Sequence, residues 1–486
     1  MLTALKNTAS ITYTENGAAT HAGTGSDCLD FFAAAGALRS AGEEDIITRF
    51  TRAYAENATL ALKTAFFARD IRGGLGERRV FRILERFLAA SEPAAMRRNL
   101  PLVAEYGRYD DLFVLFGTPC EKDMIAHVRS RLDKDLEKLR AGEPVSLLGK
   151  WLPSVNASNG GVVSMAKKFA RAFGMKDAEY RKTLSALRAA IRIIENSLRE
   201  KDYTFEYEAQ PSRALLKYRK AFLRNDKERY ADFLRRAAAE PEILHTAALA
   251  PYDIIAPIWK NPALTEEERL SLDTTWKAMK DFTGDEDALV VADGSGSMYC
   301  GGNPLPASVA QSLAIYFAER NRGAFRNHFI TFSMNPRLIE IKGRDIAEKA
   351  RYCASFNECA NTDLAKVFSL LLDAATRRGL AQDAMPARLY VISDMEFDSC
   401  CKHAGTTNFD HARALFAEHG YRLPHIVFWN VQSRNAHQPV AMNEQGVTLV
   451  SGCTPQIFSM LKGGCLDPYS FMLDVLSSER YAAIAA

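Results

Sequence analysis

VVADGSGSM, residues 290–298, is the stretch whose reading decides the fold. An apolar, β-branched run leads into Asp293, and glycine then alternates with serine through Gly294, Ser295, Gly296 and Ser297. Neither glycine nor serine favours regular structure, so a short buried strand ending this way is built to present oxygens. The glycines let the backbone turn tightly enough for one carboxylate and two hydroxyls to face a single point. Hard oxygen donors suit Mg²⁺, which wants octahedral geometry with ligands at about 2.0–2.1 Å and keeps some of its water.

Downstream of this stretch, short apolar runs alternate with helical patterns. ALVVA (288–292), HFITFS (328–333), RLIEI (337–341), RLYVIS (388–393), HIVFWNV (425–431) and VTLVSG (447–452) read as strands. Helices are expected near Pro306 to Asn321, Thr362 to Arg378 and Phe409 to Gly420, with one or two more at the end. Strands that are apolar throughout and interleaved with helices predict a mostly parallel, doubly wound sheet covered on both faces. In such sheets function gathers at the carboxyl ends of the strands. Thr362 opens a helix after the third strand, and Asp394 ends RLYVIS within VISDMEFD. The predicted metal ligands are therefore Asp293, Ser295, Ser297, Thr362 and Asp394, around Mg²⁺ or another divalent cation. Glu396 and Asp398 add further acid nearby. With hydroxyls in most direct positions and one aspartate acting through water, the metal stays electrophilic and accepts a carboxylate from a partner. The plain alternative has Asp293 and Thr362 capping helices and Ser297 in a turn.

Upstream the pattern is different. From about residue 27 to about 282 apolar residues recur at three- and four-residue spacing, with breaks at Gly, Pro and Asn. Leu184, Leu187, Ile191, Ile194 and Leu198 form the clearest stripe and predict one helix from Arg181 to Arg199. Extended pieces are expected only near Ala9 to Tyr13 and Tyr203 to Tyr207. Some 250 residues of helical hairpins suggest a helical-repeat array rather than one bundle. The acidic segment DFTGDED (281–287) marks the change, giving a helical domain at 1–285 and an α/β domain at 286–486.

Net charge is only +3, but residues 160–236 hold 19 basic and 10 acidic side chains. On a continuous helix, Arg181, Arg188, Arg192 and Arg199 fall within about 40° of one another, a ridge beside the buried stripe. Arg213, Lys217, Lys220 and Arg224 follow on helical spacing, with Tyr218 and Phe222 between them. Aligned guanidinium groups fork onto phosphates, and these eight residues are the candidate RNA contacts. Solvated helical faces carry similar stripes, and Glu195, Glu200 and Asp226 stand close enough to neutralise part of this one. A second basic turn sets Arg69, Arg72, Arg78 and Arg79 around Gly73, Gly74 and Gly76. It lacks the lysine-serine pattern of a phosphate loop and reads first as the end of one helix and, at Glu77, the start of the next.

DGSGS with Thr362 and Asp394 resembles the metal-ion-dependent adhesion site of von Willebrand factor A domains. ARDIRGGLGERRVF (68–81), YGRYDDL (106–112), KWLPS (150–154), YRKTLSALR (180–188) and NTDLAKVF (361–368) resemble an uncharacterised family joining a helical region to such a domain. That family is similar in layout to the TROVE-domain Ro ribonucleoproteins, whose helical repeats form a ring that binds small structured RNAs and the ends of misfolded RNAs. The resemblance implies a HEAT- or TROVE-like array followed by a Rossmann-like von Willebrand factor A domain. It also implies structured small RNA as a partner, beside an acidic protein partner at the metal.

Other classes are disfavoured. There is no HExxH and no GxSxG, and serine and threonine serve poorly in a two-metal hydrolase, so no catalysis is expected. Nine cysteines without CxxC pairs suit reduced thiols. Cys400, Cys401, His403 and His411 form the one dense patch but lack the two spaced pairs of a zinc site. No apolar run approaches a membrane span, and the start lacks a secretory pattern, so a cytoplasmic location is expected.

Overall fold

The computed structural model describes residues 10–191, 193–358, 362–398, 407–462 and 467–486. A hairpin of β1 (Ile11–Tyr13) and β2 (Ala19–His21) opens the chain, followed by helices as far as Glu266–Lys277. The remainder forms one six-stranded sheet from β3 (Ala288–Asp293), β4 (His328–Phe332), β5 (Leu338–Glu340), β6 (Arg388–Ser393), β7 (His425–Asn430) and β8 (Val447–Ser451). Its order is β5-β4-β3-β6-β7-β8, and every pairing is parallel except that of β4 with β5. This is the doubly wound order, reversing direction between β3 and β6. Val291 pairs with Val391 and Ala292 with Ile392, so Asp293 and Asp394 leave neighbouring strands at almost the same height. β3, β6 and β8 are buried at every position, which explains why their runs are apolar rather than alternating.

Helix Pro306–Arg320 carries the contact between the two kinds of structure. It is buried at every residue from Pro306 to Ala318, because one side meets the sheet and the other meets helices Tyr252–Lys260 and Ile346–Ala354. Its buried serines are satisfied locally, Ser308 Oγ donating to Leu305 O and Ser312 Oγ to Val309 O. Its outer end is pinned by polar contacts: Tyr316 Oη donates to Lys280 O at 2.5 Å, and Trp276 Nε1 donates to Glu319 Oε2 at 2.6 Å.

The chain's two ends exchange partners. The hairpin packs on the sheet, where Thr14 Oγ1 donates to Phe397 O at 2.6 Å and His21 N–H to Gln438 O at 2.9 Å. Gly36 lies so close to β8 that a Cβ there would sit 2.5 Å from Ser451 O. The C-terminal residues return to the helices: Arg480 pairs with buried Asp70, and Tyr481 Oη donates to the same carboxylate at 3.1 Å. One apolar core consequently runs from Cys28 to Ile484 through both regions.

Two expectations are corrected. Tyr203–Tyr207 is not a strand; its alternate aromatics Tyr203, Phe205 and Tyr207 feed a satellite core with Phe222, Tyr230 and Phe233. The helix drawn from Arg181 to Arg199 is two helices, Asp177–Ile191 and Ile194–Glu200, with extended Ile193 between them. The apolar stripe divides at the break: Leu184 and Leu187 enter the main core, while Ile194 and Leu198 pack in the satellite one. No helix among the described residues is long and apolar enough to cross a membrane.

Asp70→Ala leaves Arg480 and Tyr481 without their shared acceptor and is expected to cost about 3 kcal/mol in denaturant unfolding; an unchanged midpoint would remove the C-terminal clasp from the account. Burial, then the Arg388 charge, lowers His425 from 6.5 to about 4. The folded state thus binds fewer protons, and stability present above pH 6.5 is lost as pH falls toward 4. His425→Gln should flatten that part of the stability profile, and an equally steep acid loss in the variant would assign it to other groups.

Candidate divalent-cation site

The carboxyl ends of β3 and β6 gather the acids. Asp293 is buried, and Ser393 Oγ donates to its Oδ2 at 2.6 Å while Ser295 N–H donates to Oδ1 at 2.8 Å. Ser295 Oγ and Ser297 Oγ lie 3.1 Å apart, and Ser297 hydrogen-bonds the Asp394 carboxylate. Asp293, Ser295, Ser297 and Asp394 are thereby linked in one cluster. Neither Gly294 nor Gly296 adopts positive φ. The turn needs room rather than a left-handed residue, since a Cβ at Gly294 would lie 3.1 Å from Asn357 Oδ1. The strained residue is Met395, at φ 68, directly after Asp394. A non-glycine residue in that region costs about 1–3 kcal/mol and is found where a turn must aim a neighbouring group.

Thr362 joins less directly. Its Oγ1 donates to Glu396 O at 3.4 Å and hydrogen-bonds the Asp398 carboxylate, while its carbonyl accepts from Asp398 N–H at 3.0 Å. Glu396 is committed elsewhere: its carboxylate accepts from Glu15 N–H at 2.8 Å and Asn435 Nδ2 at 2.8 Å and meets His437 Nε2 at 3.0 Å. Burial alone would raise its pKa, and these contacts outweigh burial to hold it below the ordinary value. It is the tether of the N-terminal hairpin.

The two aspartates are costly to ionise side by side. Burial, then the Asp394 charge, raises the Asp293 carboxyl; burial raises Asp394, opposed by Ser297 and Arg434. Among the described residues Asp394 Oδ2 is buried without a hydrogen-bond partner, although Arg434 Nη2 lies 3.2 Å from it in an ion pair that also reaches Glu15. Two adjacent acids, paired hydroxyls and an unsatisfied carboxylate oxygen fit a hard divalent ion better than a soft one. Among the described residues no three His, Cys, Asp or Glu side chains converge to hold a metal, so any cation here depends on the hydroxyls. Cys400, Cys401 and His403 lie outside the described residues, and His411 sits in helix Asn408–Glu418.

The basic candidates separate. Arg188 faces inward, where Nε donates to Gly149 O at 2.9 Å, Nη1 to Ser154 Oγ at 2.7 Å and Nη2 to Leu152 O at 2.7 Å. It stitches two loops and has no fork left for phosphate. Arg192 lies outside the described residues. Arg213 pairs with Asp253, Lys220 with Glu268 and Arg199 with Glu200, while Lys217 sits over the Tyr218 ring. Arg181 and Arg224 are exposed. Extended Ile193 interrupts the single ridge.

Sequence reading missed Ser393, Glu15, Arg434 and His437. Ser393 had a signal, since it immediately precedes Asp394 at a strand end; the others reach the site only through folding of distant loops.

Residues 287–468 match the family described as Domain of unknown function (DUF7788). Uncharacterized protein L728 of Acanthamoeba polyphaga mimivirus is 25% identical over 506 residues, covering 96% of this chain and 87% of its own length. The crystal structure of the Deinococcus radiodurans RO (RSR) protein is similar with a TM-score of 0.48 at 16% identity, over 88% of this chain and 93% of that one. Residues 14–115 and 122–289, more than half of the chain, match the model described as Domain of unknown function (DUF2828), and the chain belongs to that family.

Proposed function

We propose that the protein is a noncatalytic scaffold that docks an acidic partner through a divalent cation, Mg²⁺ in the first instance, as the resemblance to von Willebrand factor A domains implies. Asp293, Ser295 and Ser297 would hold the cation, with Asp394 and Thr362 completing the set directly or through water. When bound, the ion supplies a Lewis-acidic position for a carboxylate from outside. The observation that carries the reading is the meeting of two buried carboxylates and two hydroxyls at the sheet's reversal point. The chain's own residues prepare it: Ser393 fixes one Asp293 oxygen, and the Met395 turn aims Asp394.

Mn²⁺ or Mg²⁺ is expected to raise the thermal midpoint of the wild-type protein by a few degrees, as binding to the folded state alone requires. Asp293→Ala should abolish that rise and, on immobilised protein, the retention of partners that EDTA releases. Equal stabilisation of the variant, or a partner set indifferent to EDTA, would overturn the reading.

A second reading, structured small RNA on the helical region, is favoured by the excess of basic residues in 160–236 and by the exposure of Arg181 and Arg224. Reversing both charges should lower the slope of log affinity against log salt by about 0.7 per lost single-strand contact. An unchanged slope would move RNA elsewhere or exclude it.

A further inference from the structure

A cavity of about 630 Å³ opens between the helical region and the loops that follow β3 and β8. Its volume lies within the range of about 300–1,000 Å³ typical of small-molecule sites. Six arginines line it, Arg39, Arg69, Arg78, Arg79, Arg108 and Arg213, against two carboxylates, Glu77 and Asp253.

Most of this charge is answered locally. Arg39 Nε donates to Glu77 at 2.9 Å, Arg69 pairs with buried Asp111 at 2.7 Å, and Arg213 pairs with Asp253 at 2.8 Å. Arg108 is held by Asp110 at 2.8 Å and stacks on Trp151, its guanidinium carbon 4.0 Å from the ring centre. Two cations are left. Among the described residues Arg79 donates only to carbonyls, Ala41 O at 2.7 Å and Arg39 O at 3.3 Å. Arg78 has no hydrogen-bond or ion-pair partner among the described residues, and burial followed by the Arg108 and Arg82 charges lowers its pKa.

Both are the opening residues of helix Arg78–Ser91, whose first turn carries no acid. Cations at the positive end of a helix repel it, so local stability does not account for their placement. Leu75, Leu249, Ala250 and Tyr252 add apolar and aromatic lining, and the Arg39 guanidinium stands over the Tyr252 ring at 5.9 Å. Arginines beside an apolar, aromatic lining suit a ligand with an anionic end and a flat body.

We propose that this cavity binds a nucleotide through its 5′-phosphate, with Arg78 and Arg79 on the phosphate and the base against the lining at Tyr252. The same group occurs in a free nucleotide and at the end of an RNA chain. The inference does not rest on the cation site, which lies in a separate set of residues.

The test is direct titration of the full-length protein with ATP, with a short 5′-phosphorylated oligoribonucleotide and with its 5′-hydroxyl counterpart, repeated with Arg78→Gln/Arg79→Gln. At least one phosphorylated probe should bind, and the paired substitution should weaken it about tenfold or more, as loss of charged hydrogen bonds requires. Preference for ATP identifies a free nucleotide; preference for the phosphorylated over the hydroxyl oligonucleotide identifies an RNA end. Both residues are exposed, so the variant's thermal midpoint should match that of wild type and certify its fold. Failure of both phosphorylated probes to bind, or equal affinity in a folded variant, would overturn the proposal.

Discussion

The parallel pairing of β3 with β6 forces two aspartates to leave adjacent strands at one level, with little water to separate them. Burial raises the free energy of ionising both, and the Asp394 charge raises that of Asp293 further. Three things can relieve such a pair: a proton, a neighbouring guanidinium or a metal ion. The protein supplies the second only in part, since Arg434 contacts Asp394 without hydrogen-bond geometry and is shared with Glu15. Beside the pair stand the left-handed Met395 and the paired hydroxyls of Ser295 and Ser297.

The rest of the molecule protects this arrangement. Glu396, a third acid two residues on, is engaged by the Glu15 amide, Asn435 and His437, so that of these three acids it is Asp394 that keeps an oxygen without a hydrogen bond among the described residues. The N-terminal hairpin reaches the sheet and the C-terminal residues reach the helices, so the regions are interleaved rather than strung together. Helix Pro306–Arg320, leaving the cluster and buried on all sides, makes β3 and the helical region one packed unit. Because interiors are close-packed, displacement at the strand ends is felt by the helices on the far side.

Much of this was legible in the sequence. Runs such as RLYVIS and HIVFWNV lack polar alternation because both faces of the sheet are covered, and that pattern specifies a doubly wound sheet without further information. Asp293, Ser295 and Ser297 were legible because they are contiguous, and Asp394 because a strand end places it. Arg188 misled: helical spacing gives the side of a helix but not what packs there, and loop carbonyls claim its guanidinium. Ile193 is an extended break flanked by residues that keep the helical period, so the period concealed it. Arg434 was invisible, since nothing near residue 434 indicates that its loop crosses to β6. The arginine cavity was visible only as a basic turn, because Arg108 and Arg213 join it from elsewhere in the chain.

The central claim is that the buried aspartate pair exists to hold a divalent cation rather than a proton or Arg434. Crystals grown with Mn²⁺ and measured at an energy where manganese scatters anomalously test it most directly. The account predicts one anomalous peak bounded by Asp293, Ser295 and Ser297, with Arg434 turned away from Asp394. A map without that peak, showing Arg434 hydrogen-bonded to both Asp394 oxygens, would contradict it.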